Sequence, residues 1–283
     1  MNYASYDDLA GVIRTNLWKI PSDVDLIVGV PRSGMIAALM MAEYLNKRCT
    51  DLNAFIDGHA LYEGVRGLNC REGKKGKVLI LEDTVNLGFS MDAVRALVER
   101  VKDKYEIIYG TVFAEGAHAK SMVDIYLTDN FIPGDEDWFY EWNILHHGKN
   151  ELCMWDLDGL LCKNPPDDSD LVAYERYIKD PIPMVIPTYP IGAFVTYRLE
   201  KYREITEAWL RSQDVRYGRL IMFDAPDREA RNRYMCAAAY KAKIYRNNPG
   251  FLMFVESDTE QAEQIHVMSG KPVFCFENGK MYK

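Results

Sequence analysis

Short apolar runs, each closed by polar residues and followed by a stretch with helical spacing, recur in both halves of this 283-residue chain. "VDLIVGV" (24–30), "KVLILED" (77–83) and "EIIYGTVFA" (106–114) have the length and flanks of strands buried on both faces. Amphipathic stretches at 35–46 and 90–104 supply helices between and after them. A polar, turn-rich passage occupies 128–150, and the alternation restarts with "LCMWDLDG", "IGAFVTYR", "RLIMFDA", "FLMFVES" and "KPVFCFE". Alternating strand and helix restrict a chain to parallel sheets covered by helices, with active loops at the C-terminal strand ends. Two such runs, each with its own acidic strand ends, predict an α/β protein of two doubly wound parallel-sheet domains, 1–148 and 149–283.

A hydrophobic content of 48% provides a full core, and a net charge of −8 argues against a protein that coats nucleic acid. The six cysteines are scattered without a CxxC pair, which fits a reduced compartment better than a disulfide or zinc framework. The start lacks a basic segment leading into an apolar one, and no apolar run approaches a membrane span. These features predict a cytoplasmic chain with no integral membrane segment. His146 and His147 have no partner cluster and read as an exposed linker.

Two glycines, Gly29 and Gly34, frame the first strand-to-helix loop, "GVPRSG". Met35 and Ile36 stand where a P-loop needs Lys and a hydroxyl residue, so that motif is absent. The second strand closes with Glu82 and Asp83, and "TVNLGFSM" leads into a helix. A small-residue loop at a helix N-terminus suits a phosphate, because free N–H groups and the dipole favour an anion. Adjacent carboxylates suit vicinal hydroxyls or a magnesium-bound sugar. A ribose 5-phosphate unit needs both.

"VLILEDTVNLGFSM" resembles the phosphoribosyl-diphosphate motif of type I phosphoribosyltransferases. The resemblance covers about residues 20 to 115. It implies that Glu82 and Asp83 hold the ribose 2- and 3-hydroxyls and that Asn86, Leu87, Gly88, Phe89 and Ser90 wrap the 5-phosphate. It also sets Arg32, Ser33 and Gly34 against the leaving diphosphate. The segment 53–67, with Arg66, falls where the family has its mobile hood. One departure bears on the acceptor: purine-using members carry Asp where this chain has Asn86, and a neutral amide cannot take a proton. Asp51 and Asp57 are candidates for the base that activates an acceptor.

In the second half, "CMWDLDGLL" sets Asp156 and Asp158 at alternate positions, which on a strand sends both carboxylates to one side. A D-G hairpin is the alternative reading. Thr196, Lys241 and Glu256 come next in order, with Lys243 as a rival for Lys241. The set resembles the haloacid dehalogenase superfamily of phosphatases over about 150 to 275. The resemblance implies that Asp156 attacks phosphorus and that Asp158 serves as acid and then base. Thr196 and Lys241 would hold the phosphoryl oxygens. Asp156, Asp158 and Glu256 form the Mg2+ site, Asp158 through its backbone carbonyl. Fewer than forty residues separate Asp158 from Thr196, and about as many separate Thr196 from Lys241, which leaves no room for a large cap. The stretch 198–210 reads as a packing helix.

Together the halves resemble the glycan phosphoribosyltransferase and phosphatase pairs of bacterial surface-polysaccharide synthesis. That resemblance implies transfer of 5-phosphoribose from phosphoribosyl diphosphate to a glycan acceptor, then removal of the 5-phosphate to leave ribofuranose. It implies no nucleic-acid partner and leaves the oligomeric state open. A nucleobase phosphoribosyltransferase fused to a nucleotidase, and a phosphoribosyl diphosphate-sensing protein, are the alternatives.

Overall fold

The computed structural model describes residues 2–58, 76–129, 138–167 and 169–283. The chain divides into two compact units that meet in sequence between Trp138 and Phe139. This lies ten residues before the boundary expected from composition. The reason is local: Phe139 packs its ring on His147 at 5.1 Å, and Asn150 donates to the Ile144 carbonyl at 2.9 Å, so the end of the polar passage folds with the second half of the chain.

The first unit contains β1 (Asn2–Ala4), α1 (Tyr6–Asn16), β2 (Leu26–Gly29), α2 (Ser33–Leu45), β3 (Arg48–Asp51) and α3 (Leu52–Asp57). After these come β4 (Lys77–Val85), α4 (Phe89–Val98), β5 (Glu106–Ala114), α5 (Ala117–Ser121) and β6 (Ile125–Asp129). Ser5 caps α1 in a reciprocal box with Asp8, satisfying two otherwise orphaned N–H groups. The sheet is parallel throughout, in the order β3-β2-β4-β5-β6. Ile27, Val28, Leu79 and Ile80 are buried on both faces of it, each worth about 1.5–3 kcal/mol. The chain enters at β2, steps out to β3 and returns to β4, so the order reverses between β2 and β4. Two boundaries differ from expectation. The strand expected at 77–83 runs on to Val85, because β5 continues to pair with it through Ala114. The helix expected at 90–104 stops at Val98, and a short 3-10 turn forms at Lys102–Lys104.

The second unit continues from β7 (Trp138–Tyr140) to β8 (Cys153–Trp155), α6 (Leu171–Lys179), β9 (Ile191–Leu199), α7 (Arg203–Ser212) and β10 (Tyr217–Phe223). Then come α8 (Arg228–Tyr234), α9 (Ala237–Arg246), β11 (Met253–Glu256), α10 (Thr259–Ser269), β12 (Val273–Cys275) and β13 (Lys280–Tyr282). The order is β10-β9-β8-β11-β12-β13, parallel except for the last strand. Here the order reverses between β8 and β11. Among the described residues, α6 is the one helix between Asp158 and Thr196, in keeping with the missing large cap. The stretch expected as one helix from 198 is strand to Leu199 and becomes helix at Arg203. His146 and His147 are half-buried rather than exposed: His147 accepts from the Lys149 N–H, and His146 lies 3.4 Å from the Thr188 hydroxyl.

Candidate active sites at two strand switch points

In open α/β sheets, ligands bind outside the carboxyl ends of strands where the order reverses. Both sets of candidate residues lie at such a point, one in each unit.

In the first unit, β2 pairs with β4 only as far as Leu81, and past that point β4 is paired on its other side alone, with β5. Glu82 and Asp83 are the next two residues, both buried. Adjacent strand residues project to opposite faces, so the pair straddles the strand. Gly34 is required in the first turn of α2: an added Cβ would stand 2.7 Å from the Leu81 carbonyl oxygen and 3.2 Å from Glu82 Oε2. Its role is thus to let α2 begin against β4. Ser90, in the first turn of α4, donates its hydroxyl to Glu82 Oε1. The N-termini of two helices therefore converge on one carboxylate. Burial, offset partly by Ser90 and reinforced by Asp83, pushes the Glu82 carboxyl up to about 7.

Gly88 caps α4 at φ +79°, the left-handed region a side chain rarely adopts, and an added Cβ would meet Met122. Asn86, Leu87 and Phe89 are exposed around it, with Leu87 63% and Phe89 77% accessible. Arg32 is exposed, Ser33 is half-buried, and the Pro31–Arg32 peptide is cis. Asp51 ends β3 opposite Gly29 but turns its carboxylate onto the Asn53 and Ala54 N–H groups as the cap of α3. Asp57 is exposed at the far end of that short helix. Arg66 and most of the expected hood lie outside the described residues.

In the second unit, β8 ends at Trp155, so Asp156 and Asp158 are not alternate strand residues as expected. They lie in the turn beyond. Gly159, at φ +78°, donates to the Cys162 carbonyl at 2.8 Å in a tight turn whose Asp158–Cys162 bridge is parallel, so the turn is not the D-G hairpin of the alternative reading. Both carboxylates nevertheless line one cavity of about 540 Å3, joined there by Thr196 from β9 and Lys241 from α9. Lys243 is exposed, over the Tyr234 ring.

The charges of this cavity are paired. Lys241 Nζ lies 2.9 Å from Asp156 Oδ2, 2.8 Å from Glu256 Oε2 and 3.2 Å from Gln261 Oε1. Burial opposes the ammonium, yet the two carboxylates outweigh it and hold Lys241 above its usual value. Asp156 is raised well above the carboxylate range by burial and by Glu256, because one cation serves two anions. Glu256 is fully buried and does not line the cavity. Its other oxygen accepts from the Ser257 and Asp258 N–H groups, so it anchors Lys241 and its own loop, while Ser257 and Asp258 face the space.

Arg198 completes the site and is not among the residues expected from the sequence, where it stands at the overlap of the run 191–198 and the stretch 198–210. It is 1% exposed and forks onto Asp158, Nε to Oδ2 at 2.9 Å and Nη2 to Oδ1 at 2.6 Å. Tyr177 donates to the same carboxylate at 3.0 Å. Burial would raise Asp158, but Arg198 prevails and keeps its carboxyl below the usual range. A charged residue on a strand that also carries Thr196 two positions earlier was the available signal, since strand alternation puts both on one face.

No group of three or more His, Cys, Asp or Glu side chains assembles a metal cage among the described residues. Magnesium does not require one: it binds through one or two carboxylates together with substrate phosphates. Asp156, whose carboxylate faces the cavity, and the neighbouring Asp158 carbonyl fit that mode. No helix among the described residues is long and apolar enough to cross a membrane.

A family model described as a phosphoribosyl transferase domain matches residues 2–141. Among solved structures, the chain is similar to the Helicobacter pylori xanthine-guanine-hypoxanthine phosphoribosyltransferase, at 18% identity and TM-score 0.37, covering 50% of this chain and 93% of that one. The Pyrococcus horikoshii purine phosphoribosyltransferase matches at 17% identity and TM-score 0.34, covering 50% and 92%. A chain from the structure of a Pnkp1/Rnl/Hen1 complex matches at 13% identity and TM-score 0.32, covering 92% and 99%. No curated protein sequence matches significantly. The N-terminal half is a phosphoribosyltransferase domain.

Proposed function

We propose that this chain transfers 5-phosphoribose from phosphoribosyl diphosphate to a glycan hydroxyl in its first domain and removes the 5-phosphate in its second, leaving ribofuranose. The pairing belongs to surface-polysaccharide assembly. The observation that carries the second activity is the convergence of Asp156, Thr196 and Lys241, from three separate elements, on one cavity. The strand order around it, with the reversal between β8 and β11, agrees with a haloacid dehalogenase-like domain.

In the first domain, the hydroxyls of ribose lie at Glu82 and Asp83, and the 5-phosphate at the start of α4 with Ser90 and the Asn86–Phe89 loop. Diphosphate is held by Arg32 and the start of α2, where Arg32 supplies a planar fork of donors. The acceptor oxygen bonds to C1 as the bond from C1 to the diphosphate oxygen breaks, and the hydroxyl proton goes to a base. In the second domain, an oxygen of Asp156 bonds to phosphorus as the bond to the ribose 5-oxygen breaks and Asp158 gives that oxygen a proton, forming an aspartyl phosphate. Water then displaces Asp156, giving up a proton to Asp158. Lys241 and Thr196 hold the phosphoryl oxygens. Magnesium would be held at Asp156 and the Asp158 carbonyl, where it supplies charge neutralisation.

The test uses the full chain with phosphoribosyl diphosphate, magnesium and candidate glycan acceptors, read by mass spectrometry. Wild type is expected to yield a plain riboside, and Asp156→Asn to accumulate an adduct heavier by one phosphate. A nucleoside monophosphate formed only when a nucleobase is supplied would instead support the nucleobase transferase, a reading kept by the family match. Plain riboside made by the variant at the wild-type rate would remove Asp156 as nucleophile.

A further inference from the structure

Beside the Asp156 cavity lies a second one of about 420 Å3, and the two share Tyr174, Arg228 and Arg231 as common walls. A phosphoryl group at Thr196 and Lys241 lies in the first cavity. The second has two tyrosines, Tyr174 and Tyr202, in its wall. Tyr174 and Tyr202 lie with ring centroids 5.7 Å apart, and Lys201 stands over Tyr202 at 4.8 Å. Tyr174 is buried, whereas Tyr202 is half-buried. Charges of both signs surround these rings, with Lys201 and Arg228 set among Asp227 and Glu229. At the junction with the first cavity, Arg228 reaches Asp167 at 3.5 Å.

We infer that this second cavity is a saccharide subsite, which holds the sugar body of the phosphate ester while its phosphoryl group lies at Asp156. The inference rests on the phosphatase reading above. A sugar ring presents a C–H face that packs on an aromatic ring, and hydroxyls at its edge that both donate and accept. Carboxylates accept from such hydroxyls, and guanidinium and ammonium groups donate to them, so a rim of mixed sign suits a neutral polyhydroxylated ring. A nucleic-acid strand also offers rings to stack, and its phosphates would meet Lys201, Arg228 and Arg231 as well as Asp167, Asp227 and Glu229, so an oligonucleotide is the competing ligand in the test. The missing large cap leaves the trough open enough for a chain longer than one sugar.

The experiment compares phosphate release by the full chain from ribose 5-phosphate, from a phosphoribosyl disaccharide and from an oligonucleotide 5′-phosphate. Wild type is expected to favour the disaccharide ester over ribose 5-phosphate by about tenfold in kcat/KM. Tyr202→Ala is expected to cut that preference to about twofold, mainly through KM on the longer ester, and Lys201→Ala to act in the same direction. Equal losses on both sugar esters, no wild-type preference, or a preference for the oligonucleotide would overturn the subsite. Failure of the underlying reading has a different signature: neither sugar ester would be hydrolysed by wild type above the level of Asp156→Asn.

Discussion

The two candidate sites occupy equivalent places in their sheets but treat charge in opposite ways. In the second domain every carboxylate of the cluster meets a cation within the chain: Asp156 and Glu256 share Lys241, and Asp158 is forked by Arg198. In the first domain Glu82 is also buried, yet the hydrogen bond it receives is from a neutral hydroxyl, Ser90, and its charged neighbour is another acid, Asp83. The second site is therefore assembled before substrate arrives, and its charges are part of what holds the domain together. The first holds a carboxylate with no cation paired to it among the described residues, and its cost is relieved by a proton or by a ligand that brings hydroxyl donors and a cation. Preorganisation on one side and ligand dependence on the other are the consequence of where the cations stand.

The largest test of this contrast is Lys241→Met. Removing the ammonium strands two buried carboxylates, and loss of one partner of such a pair costs about 3–5 kcal/mol. Thermal unfolding should show the second domain melting earlier while the first-domain transition stays in place. Lys243→Met, two residues along the same helix, should change stability by no more than about 0.5 kcal/mol. If the two variants behave alike, the paired cluster is not what stabilises the domain.

Glu82→Gln should act with the opposite sign. Glu82 titrates about 7 in the folded chain against the ordinary 4.5, so between those pH values the folded state holds a proton that the unfolded state has released. Stability from this group therefore falls as pH rises from 4.5 through 7, by about 3 kcal/mol at most. The neutral amide escapes that loss. Chemical denaturation should find the variant more stable than wild type at pH 8 by about 1–3 kcal/mol, and nearly equal to it at pH 4.5. Wild type and variant with parallel pH profiles would show that Glu82 is compensated after all, and the contrast between the sites would disappear.

Arg32→Ala should leave stability untouched, because the side chain is exposed. Calorimetry should instead find weaker binding of phosphoribosyl diphosphate, by about 1.5–3 kcal/mol for a lost charge-assisted hydrogen bond. Unchanged affinity would take Arg32 out of the diphosphate site and leave α2 and α4 alone to hold the anion.

Much of the fold was legible because burial on both faces demands continuous apolar runs. "EIIYGTVFA" is strand from Glu106 to Ala114, and "VDLIVGV" shortens to Leu26–Gly29. The acids at 82–83 and 156–158 were legible as well, since carboxylates next to apolar runs at strand ends are costly unless something is bound there. The end of β4 was not legible. Its last residues are held in the strand by pairing with β5, which is a contact between segments some thirty residues apart. The compact units divide earlier than composition suggests: the residues from 139 to 148 look like a linker by composition, yet contacts such as Phe139 on His147 gather them into the second unit.

By itself the sequence determined two α/β halves, the acidic strand ends, and the order in which Asp156, Thr196 and Lys241 appear. Only the tertiary structure decided which lysine points inward. Positions 241 and 243 are equally plausible in a helix considered alone. The packing of α9 on the sheet turns one toward Asp156 and Glu256 and leaves the other in water. It also decided that Arg198 reaches Asp158 across the fold, forty residues away in the chain. Local propensity is a property of neighbours in sequence, whereas charge pairing depends on distance in space. The partners of a buried carboxylate are thus settled when the sheet closes over them.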